Sequence, residues 1–117
     1  MKRLKIGVIG LGEVAQVIHL PLLDAMSDRY EITALCEISP RLLQLMGEKY
    51  RVNQLYTSGI ELAKQADLDA VFVLNSDEYH AECAIAAASN FKHVLIEKPM
   101  CLNMEDADAI IAARDQA

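Results

Sequence analysis

Two glycines that follow a short apolar run constrain the fold of this chain more than any other feature. Residues 4–9 have the composition of a fully buried strand, and an apolar helical pattern begins after the glycines. Gly10 permits a tight turn after such a strand, Gly12 lets the main chain approach a pyrophosphate without an intervening Cβ, and Ala15 fits where helix meets strand. A helix that starts here directs the backbone N–H groups of residues such as Glu13 and Val14 at an anion. The segment predicts a nucleotide-binding turn, and an ordinary glycine-containing βα turn is the alternative.

Composition and charge argue against several classes of protein. A chain of 117 residues is about one small domain. Its net charge of −6 would repel a phosphate backbone, and no cluster of Lys and Arg offsets that charge. No apolar run approaches the roughly 18 to 20 residues of a membrane span, and no secretion signal is evident after Met1. We therefore expect a cytoplasmic protein that binds neither nucleic acid nor membrane.

The three cysteines, Cys36, Cys83 and Cys101, are odd in number, widely separated and without C-x-x-C spacing. This pattern is typical neither of a disulfide scaffold nor of a zinc site, and reduced thiols fit a cytoplasmic protein. Cys36 and Cys101 are expected near the ligand crevice, where they would behave as small apolar side chains rather than as nucleophiles. We expect no metal.

Strand-like apolar runs alternate with helical periodicity along the whole chain, which predicts an α/β fold with a parallel sheet. The expected architecture is a Rossmann-type doubly wound sheet in three layers, α/β/α. The predicted strands are residues 4–9, 31–36, 54–56, 70–74 and 93–96. The predicted helices are residues 13–26, kinked or divided by Pro21, and then 40–50, 58–65, 76–88 and 104–114. Side-chain caps are expected at Ser39, Ser58, Asn103 and either Ser76 or Asp77.

Three segments should converge where the two halves of such a sheet meet, between the first and fourth strands. Ligands bind outside the carboxyl ends of the strands at this switch point. The segments are the turn at residues 10–15, the exit of the fourth strand at residues 75–80 and the exit of the fifth at residues 97–99.

The order of several short motifs resembles the glucose–fructose oxidoreductase/inositol dehydrogenase/rhizopine-catabolism (Gfo/Idh/MocA) family over nearly the whole chain. The Glu-Lys-Pro sequence after the fifth strand is the most distinctive of them. The motifs are Gly10-x-Gly12-x-x-Ala15, His19-Leu20-Pro21, Asp69-Ala70-Val71, His80 and Lys92-His93-Val94-x-x-Glu97-Lys98-Pro99.

This resemblance implies an NAD(P)-dependent oxidoreductase acting on sugars, polyols or related compounds. It also implies an N-terminal Rossmann domain followed by a larger α/β domain, so we expect residues 1–117 to be the NAD(P)-binding domain, ending before its last strand and before the substrate domain. The family's substrate pocket takes an acid and a histidine from that later domain. Members of the family generally associate with one another through the sheet of the later domain. The expected partners are therefore a sugar-like substrate and a second copy of the full-length protein.

By the same resemblance, Lys98 contacts the substrate oxygen beside the nicotinamide. An ammonium there would polarise a hydroxyl and stabilise a developing alkoxide during hydride transfer. A structural lysine paired with Glu97 is the alternative. A cis Lys98–Pro99 bond is compatible with the sequence, and Glu97 is included among the expected cofactor contacts.

Glu37, at the end of the second strand, is placed to accept hydrogen bonds from an adenosine ribose, and its charge would repel a 2′-phosphate. NAD is therefore expected in preference to NADP. Arg41 lies nearby in sequence and would accommodate that phosphate, which keeps NADP open. A solvated carboxylate at a strand end is the alternative for Glu37.

After the fourth strand, where many members of the family have Thr-Pro, this chain has Asn75-Ser76. Both side chains can offer polar contacts to a cofactor. The family places a histidine matching His80 beside the nicotinamide or substrate, and a ligand-free histidine on a helix surface is the alternative. His19 and His93 are expected to be packing or surface residues.

Two other functions stay open at this point. A non-catalytic regulatory module that binds NAD(H) would also lack the later acid and histidine. A different Rossmann enzyme, such as a small reductase with its own C-terminal sheet, is disfavoured only by the resemblance of Glu97-Lys98-Pro99.

Overall fold

Five parallel strands form one sheet in the order β3-β2-β1-β4-β5 in the computed structural model, which describes residues 2–117. The strands are β1 Leu4–Ile9, β2 Tyr30–Cys36, β3 Gln54–Tyr56, β4 Ala70–Val73 and β5 His93–Ile96. The chain leaves β1 toward β2 and β3, then returns to place β4 on the other side of β1. This is the doubly wound order of a Rossmann fold, so the predicted fold class is confirmed.

Helices cover both faces of the sheet. They are α1 Leu20–Ala25, α2 Pro40–Tyr50, α3 Gly59–Ala63, α4 His80–Ser89 and α5 Met104–Gln116. Apolar side chains of α1 and α2 pack on one face, those of α3 and α4 pack on the other, and α5 lies beside α4. The three-layer arrangement is therefore present.

The central strand β1 is apolar on both sides because both sides are buried. Ile6 and Val8 join the cluster under α1 and α2, whereas Ile9 joins the cluster under α3 and α4. The relative exposure of these three side chains is 2% or less. A parallel strand covered on both faces has such a near-continuous apolar sequence, which is why this element was recognisable without the structure.

The first helical segment contains a widened turn. Residues 13–25 are helical, but Ala15–His19 form a π-helix before α1 begins. The Leu20 N–H donates to the Ala15 carbonyl, five residues back. Pro21 follows at once, and because proline has no N–H and crowds the preceding turn, it disfavours an ordinary α-helical ladder here. The sequence located this irregularity at Pro21 but did not reveal its type.

Three of the four predicted helix caps are present. The Ser39 hydroxyl accepts from Leu42 N–H, the Ser58 hydroxyl accepts from Glu61 N–H, and Asn103 Oδ1 accepts from Asp106 N–H. The fourth prediction was wrong, because neither Ser76 nor Asp77 caps a helix with its side chain. Instead, a 3₁₀ turn, Asp77–Tyr79, is closed by a backbone hydrogen bond from Tyr79 to Ser76, and α4 begins only at His80.

Gly10 lies where β1 and β4 end side by side, and its φ angle is +94°. A Cβ atom on this residue would lie 2.5 Å from the Asn75 nitrogen and 2.6 Å from its Cα. These are backbone atoms, so the neighbour cannot rotate away. Gly10 therefore supplies both a left-handed conformation and a close contact between two strand exits.

We predict that Gly10→Ala lowers the free energy of unfolding by about 3–5 kcal/mol, because backbone strain and a backbone clash add together. Urea denaturation followed by circular dichroism measures this change. Gly12→Ala is the matched control: a Cβ there meets no atom within 4 Å, so its stability should lie within about 1 kcal/mol of the parent protein. Equal stability of the two variants would contradict the role given to Gly10.

Candidate functional site

A cleft of about 650 Å³ opens at the carboxyl ends of the strands, where the sheet order reverses. We call it the strand-exit cleft. Its walls come from the ends of β1, β2 and β4 and from the segments that follow β2, β3 and β4. The lining residues include Gly10, Gly12, Glu37, Ile38, Ser58, Ile60, Asn75, Ser76, Tyr79 and Cys83. Its size and location are those of a small-molecule or cofactor site in an open α/β sheet.

The glycine turn presents free hydrogen-bond donors. Within residues 2–117, the backbone N–H groups of Gly12, Glu13 and Val14 have no hydrogen-bond partner. The first N–H groups of a helix lack intrahelical acceptors, and they are favourable partners for an anion. The open space beside Gly12 leaves room for ligand atoms, whereas Ala15 is completely buried under the turn.

The Glu37 carboxylate faces the cleft and also braces the loops around it. Oε1 accepts from Leu11 N–H at 3.0 Å, and Oε2 accepts from Ser39 N–H at 2.9 Å. A carboxylate has about four acceptor positions, so these bonds leave capacity for a ligand hydroxyl. Arg41 is exposed on α2 and does not line the cleft.

Asn75 and Ser76 line the cleft at the exit of β4. The Asn75 amide Nδ2 donates to Cys83 Sγ at 3.4 Å, while Oδ1 is buried with no hydrogen-bond partner in the described part of the chain. A buried acceptor without a donor is costly, so a ligand that donates here would relieve a deficit. Cys83 is a lining residue that sequence reasoning did not place in the cleft.

Burial keeps the two thiols of the cleft wall protonated. Loss of solvation raises the pKa of Cys36 to about 12, with Cys83 and Glu37 adding to the shift. Burial likewise raises the pKa of Cys83. A thiolate is the reactive form of cysteine, so these two residues contribute shape rather than nucleophilic chemistry.

The exit of β5 carries Glu97, Lys98 and Pro99, and the Lys98–Pro99 peptide bond is cis. Lys98 is exposed, and within residues 2–117 no carboxylate oxygen lies within 4.0 Å of its ammonium. The structure therefore does not contain the alternative, an ion pair between Lys98 and Glu97. Neither Glu97 nor Lys98 lines the strand-exit cleft.

Glu97 is paired with His19, which we expected from the sequence to be only a packing or surface residue. His19 Nε2 donates to Glu97 Oε2 at 2.8 Å, and the imidazole stands edge-on to Phe72 with ring centroids 5.7 Å apart. The other oxygen of Glu97 accepts from Lys98 N–H at 3.3 Å. The π-helix thereby holds the residue that precedes Lys98. No signal within either motif pairs residues 78 positions apart.

His80 is buried, with a relative exposure of 1%. Its Nδ1 lies 2.7 Å from the Pro99 carbonyl oxygen, and its Nε2 lies 2.8 Å from the Asn75 carbonyl oxygen. The alternative of a histidine on a helix surface is excluded. Both ring nitrogens are occupied by backbone atoms, so in this arrangement neither faces the cleft.

Within residues 2–117, no group of three or more His, Cys, Asp or Glu side chains is arranged to hold a metal ion. None of the helices in the described part of the chain has the length and apolar character needed to cross a bilayer.

A doubly wound sheet, a glycine turn with free N–H groups and an acidic residue at the end of β2 define a dinucleotide-binding Rossmann domain. Comparison with known proteins agrees: the sequence profile described as "Oxidoreductase family, NAD-binding Rossmann fold" matches residues 4–117. The chain belongs to the Gfo/Idh/MocA family of oxidoreductases and contains its NAD-binding domain. The resemblance inferred from the sequence motifs is confirmed.

Individual relatives agree with this assignment. The chain is 37% identical over 114 residues to myo-inositol 2-dehydrogenase of Thermotoga maritima, covering 97% of this chain and 34% of the relative. It superposes with a TM-score of 0.90 on scyllo-inositol dehydrogenase of Lactobacillus casei with bound NAD(H) and scyllo-inositol, at 26% identity, covering 98% of this chain and 34% of that one. A 3-ketoreductase of Actinomadura kijaniata in complex with NADP gives a TM-score of 0.87 at 28% identity, and the superposition covers 98% of this chain and 35% of that one. The chain thus spans about a third of the length of these relatives.

The contact with His19 is the main cause that lowers the pKa of the Glu97 carboxyl, and the Lys98 N–H lowers it further. Because the folded-state pKa lies below that of the unfolded chain, the pair stabilises the fold at pH values above the ordinary carboxyl pKa. This stabilisation disappears as the pH falls through the lowered pKa.

We predict that His19→Ala raises the pKa of the Glu97 carboxyl back toward its ordinary value, because the principal hydrogen bond to its ionised form is lost. A carbon-13 NMR titration of the carboxyl group measures the change. His93→Ala, at an exposed position on β5, is the control and should leave the Glu97 titration unchanged. An identical titration in His19→Ala would show that the pair does not form in solution.

Proposed function

We propose that the glycine turn holds the pyrophosphate of NAD, with Gly12, Glu13 and Val14 donating backbone N–H bonds and Gly10 and Ala15 shaping the turn. The observation that carries this proposal is the set of unpartnered N–H groups beside the open space at Gly12. The orphaned Asn75 Oδ1 in the same cleft supports a ligand with a donor group there, and Ser76 offers a second polar contact. The residues present therefore fit the cofactor.

The adenosine end of the cofactor is proposed to lie against Glu37 and the segment after β3. Glu37 has free acceptor capacity for ribose hydroxyls, and its negative charge disfavours a 2′-phosphate. Ile38 and Ile60 supply apolar surface in the same part of the cleft. Arg41 is not among the described residues that line the cleft, and the absence of a guanidinium among them supports NAD over NADP.

We propose that the full-length protein is an oxidoreductase acting on a polyol or sugar-like substrate, with Lys98 as its catalytic residue. Bound NAD supplies the acceptor for a hydride. Among the described residues, 2–117, the Lys98 ammonium has no carboxylate partner, and it can donate a hydrogen bond to a substrate oxygen, stabilising the negative charge that develops there. Glu97 contributes by fixing the backbone of Lys98 through its bond to His19.

The choice of a polyol is supported by two of the three relatives named above, which are inositol dehydrogenases at the level of the whole protein. Nothing observed favours a non-catalytic NAD(H)-binding module over an oxidoreductase domain. The extent of the domain, association of the full-length protein with a second copy and a cytoplasmic location stay predictions.

We predict that this chain binds NADH saturably and that Gly12→Ala weakens the affinity by about tenfold or more. The added methyl group occupies space that the pyrophosphate needs, yet it meets no protein atom within 4 Å. Nicotinamide fluorescence and calorimetric titration measure binding, and urea denaturation verifies the fold of the variant. Unchanged NADH affinity in a folded Gly12→Ala protein would show that the cofactor phosphates do not bind at this turn.

We further predict that Glu37→Gln lowers the preference for NADH over NADPH by about tenfold, since removing one charge weakens its repulsion of the 2′-phosphate. Glutamine keeps an acceptor oxygen for Leu11 or Ser39, so the loops retain part of their bracing. Parallel titrations with the two cofactors give the ratio of dissociation constants. A ratio equal to that of the parent protein would assign cofactor choice to other residues.

A further inference from the structure

The two ring nitrogens of His80 face two carbonyl oxygens. Pro99 O lies 2.7 Å from Nδ1, and Asn75 O lies 2.8 Å from Nε2. A carbonyl oxygen only accepts hydrogen bonds, so each nitrogen must donate if both contacts are hydrogen bonds. A neutral imidazole has one N–H and one bare nitrogen, whereas the imidazolium has two donors.

The need for two donors favours the doubly protonated ring. The two distances, 2.7 Å and 2.8 Å, both lie in the ordinary range for an N–H···O hydrogen bond, so both contacts count as hydrogen bonds. In a neutral ring, a nitrogen lone pair would face a carbonyl lone pair at one of the two positions.

In the described part of the chain, no ion pair contributes to the contacts of the His80 ring. The titratable residues on the surrounding elements form neither a salt bridge nor a hydrogen bond with the His80 ring within residues 2–117. These residues are Asp77 and Glu78 on the preceding turn, Glu82 and Cys83 on α4, and Glu97, Lys98 and Cys101 around Pro99.

The two carbonyls belong to the segments that follow β4 and β5. Asn75 follows β4, and its backbone is in close contact with Gly10 of the glycine turn. Pro99 follows Lys98 directly. His80 therefore connects the turn that holds the pyrophosphate to the segment that carries the reactive ammonium.

We propose that His80 is a positioning residue, held as an imidazolium, whose two N–H groups fix Lys98 relative to the glycine turn. It does not contact the cofactor with a ring nitrogen; it acts through the backbone of Asn75 and Pro99. Its effect on Lys98 rests on the function proposed above, but the bridge between the two loops does not.

The first experiment examines the bridge without any ligand. A long-range proton–nitrogen-15 NMR spectrum of the histidine rings at pH 7, with the His80 signals assigned by their absence in His80→Gln, reports which nitrogens carry protons. We expect both nitrogens of His80 to be protonated. A bare nitrogen on this ring would overturn the proposal, whether or not the chain binds a cofactor.

The second experiment follows Lys98 in protein with carbon-13 at the lysine Cε position, assigned with Lys98→Ala. In the parent chain and in the control His93→Gln, NADH should shift the Lys98 signal. In His80→Gln, NADH affinity should change by less than about threefold while the Lys98 shift is reduced at least twofold. An undiminished Lys98 shift in His80→Gln would overturn the positioning role.

The outcomes separate this proposal from the preceding one. If NADH fails to bind even the parent chain, the proposed function fails, and the ring protonation still decides whether the bridge exists. If His80→Gln does not fold, the His80 resonances are assigned in the parent chain by their contacts with protons of α4. An unprotonated ring nitrogen in the parent chain then overturns the proposal, as in the first experiment.

Discussion

The contact between Gly10 and the backbone of Asn75 is the constraint on which the rest of this site depends. It brings the ends of β1 and β4 within van der Waals distance, at a φ angle that side chains with a Cβ rarely adopt. With any larger residue, one of the two exits must move. The glycine turn and the β4 exit would then no longer face the same cleft. The segment around Pro99, which His80 connects to Asn75, would also change its position relative to the turn.

The chemistry of the cleft follows from strand direction more than from any single side chain. All five strands run parallel, so their carboxyl ends, and the helix N-termini that follow them, open on one edge of the sheet. Within residues 2–117, the unpartnered N–H groups of the glycine turn lie at this edge and favour an anion, while the Glu37 carboxylate places a negative charge beside the same turn. We therefore expect the same wall to attract a pyrophosphate and to repel an additional phosphate on a ribose.

Sequence reasoning recovered the sheet, its helices and three caps because these depend on local patterns: β1 is apolar on both faces, and Ser39, Ser58 and Asn103 each precede a helix. It failed where two distant segments meet. The His19–Glu97 pair joins residues 78 positions apart, and the two partners of His80 are main-chain oxygens, which every residue carries. Ser76 and Asp77 have the side chains of helix caps, yet the turn at this position is closed by a backbone hydrogen bond from Tyr79 to Ser76 instead. Contacts of this kind follow from the assembled sheet, so no short motif encodes them.

The buried thiols of the cleft wall have a practical consequence for studying this domain. Cys36 and Cys83 are protonated and shielded, whereas Cys101 is partly exposed two residues after Pro99, with its Sγ close to the Asn103 carbonyl. Alkylating reagents consume thiolates at accessible positions. A maleimide dye is therefore expected to attach at Cys101 without any engineered cysteine, which places a fluorescent reporter next to the segment that carries Lys98.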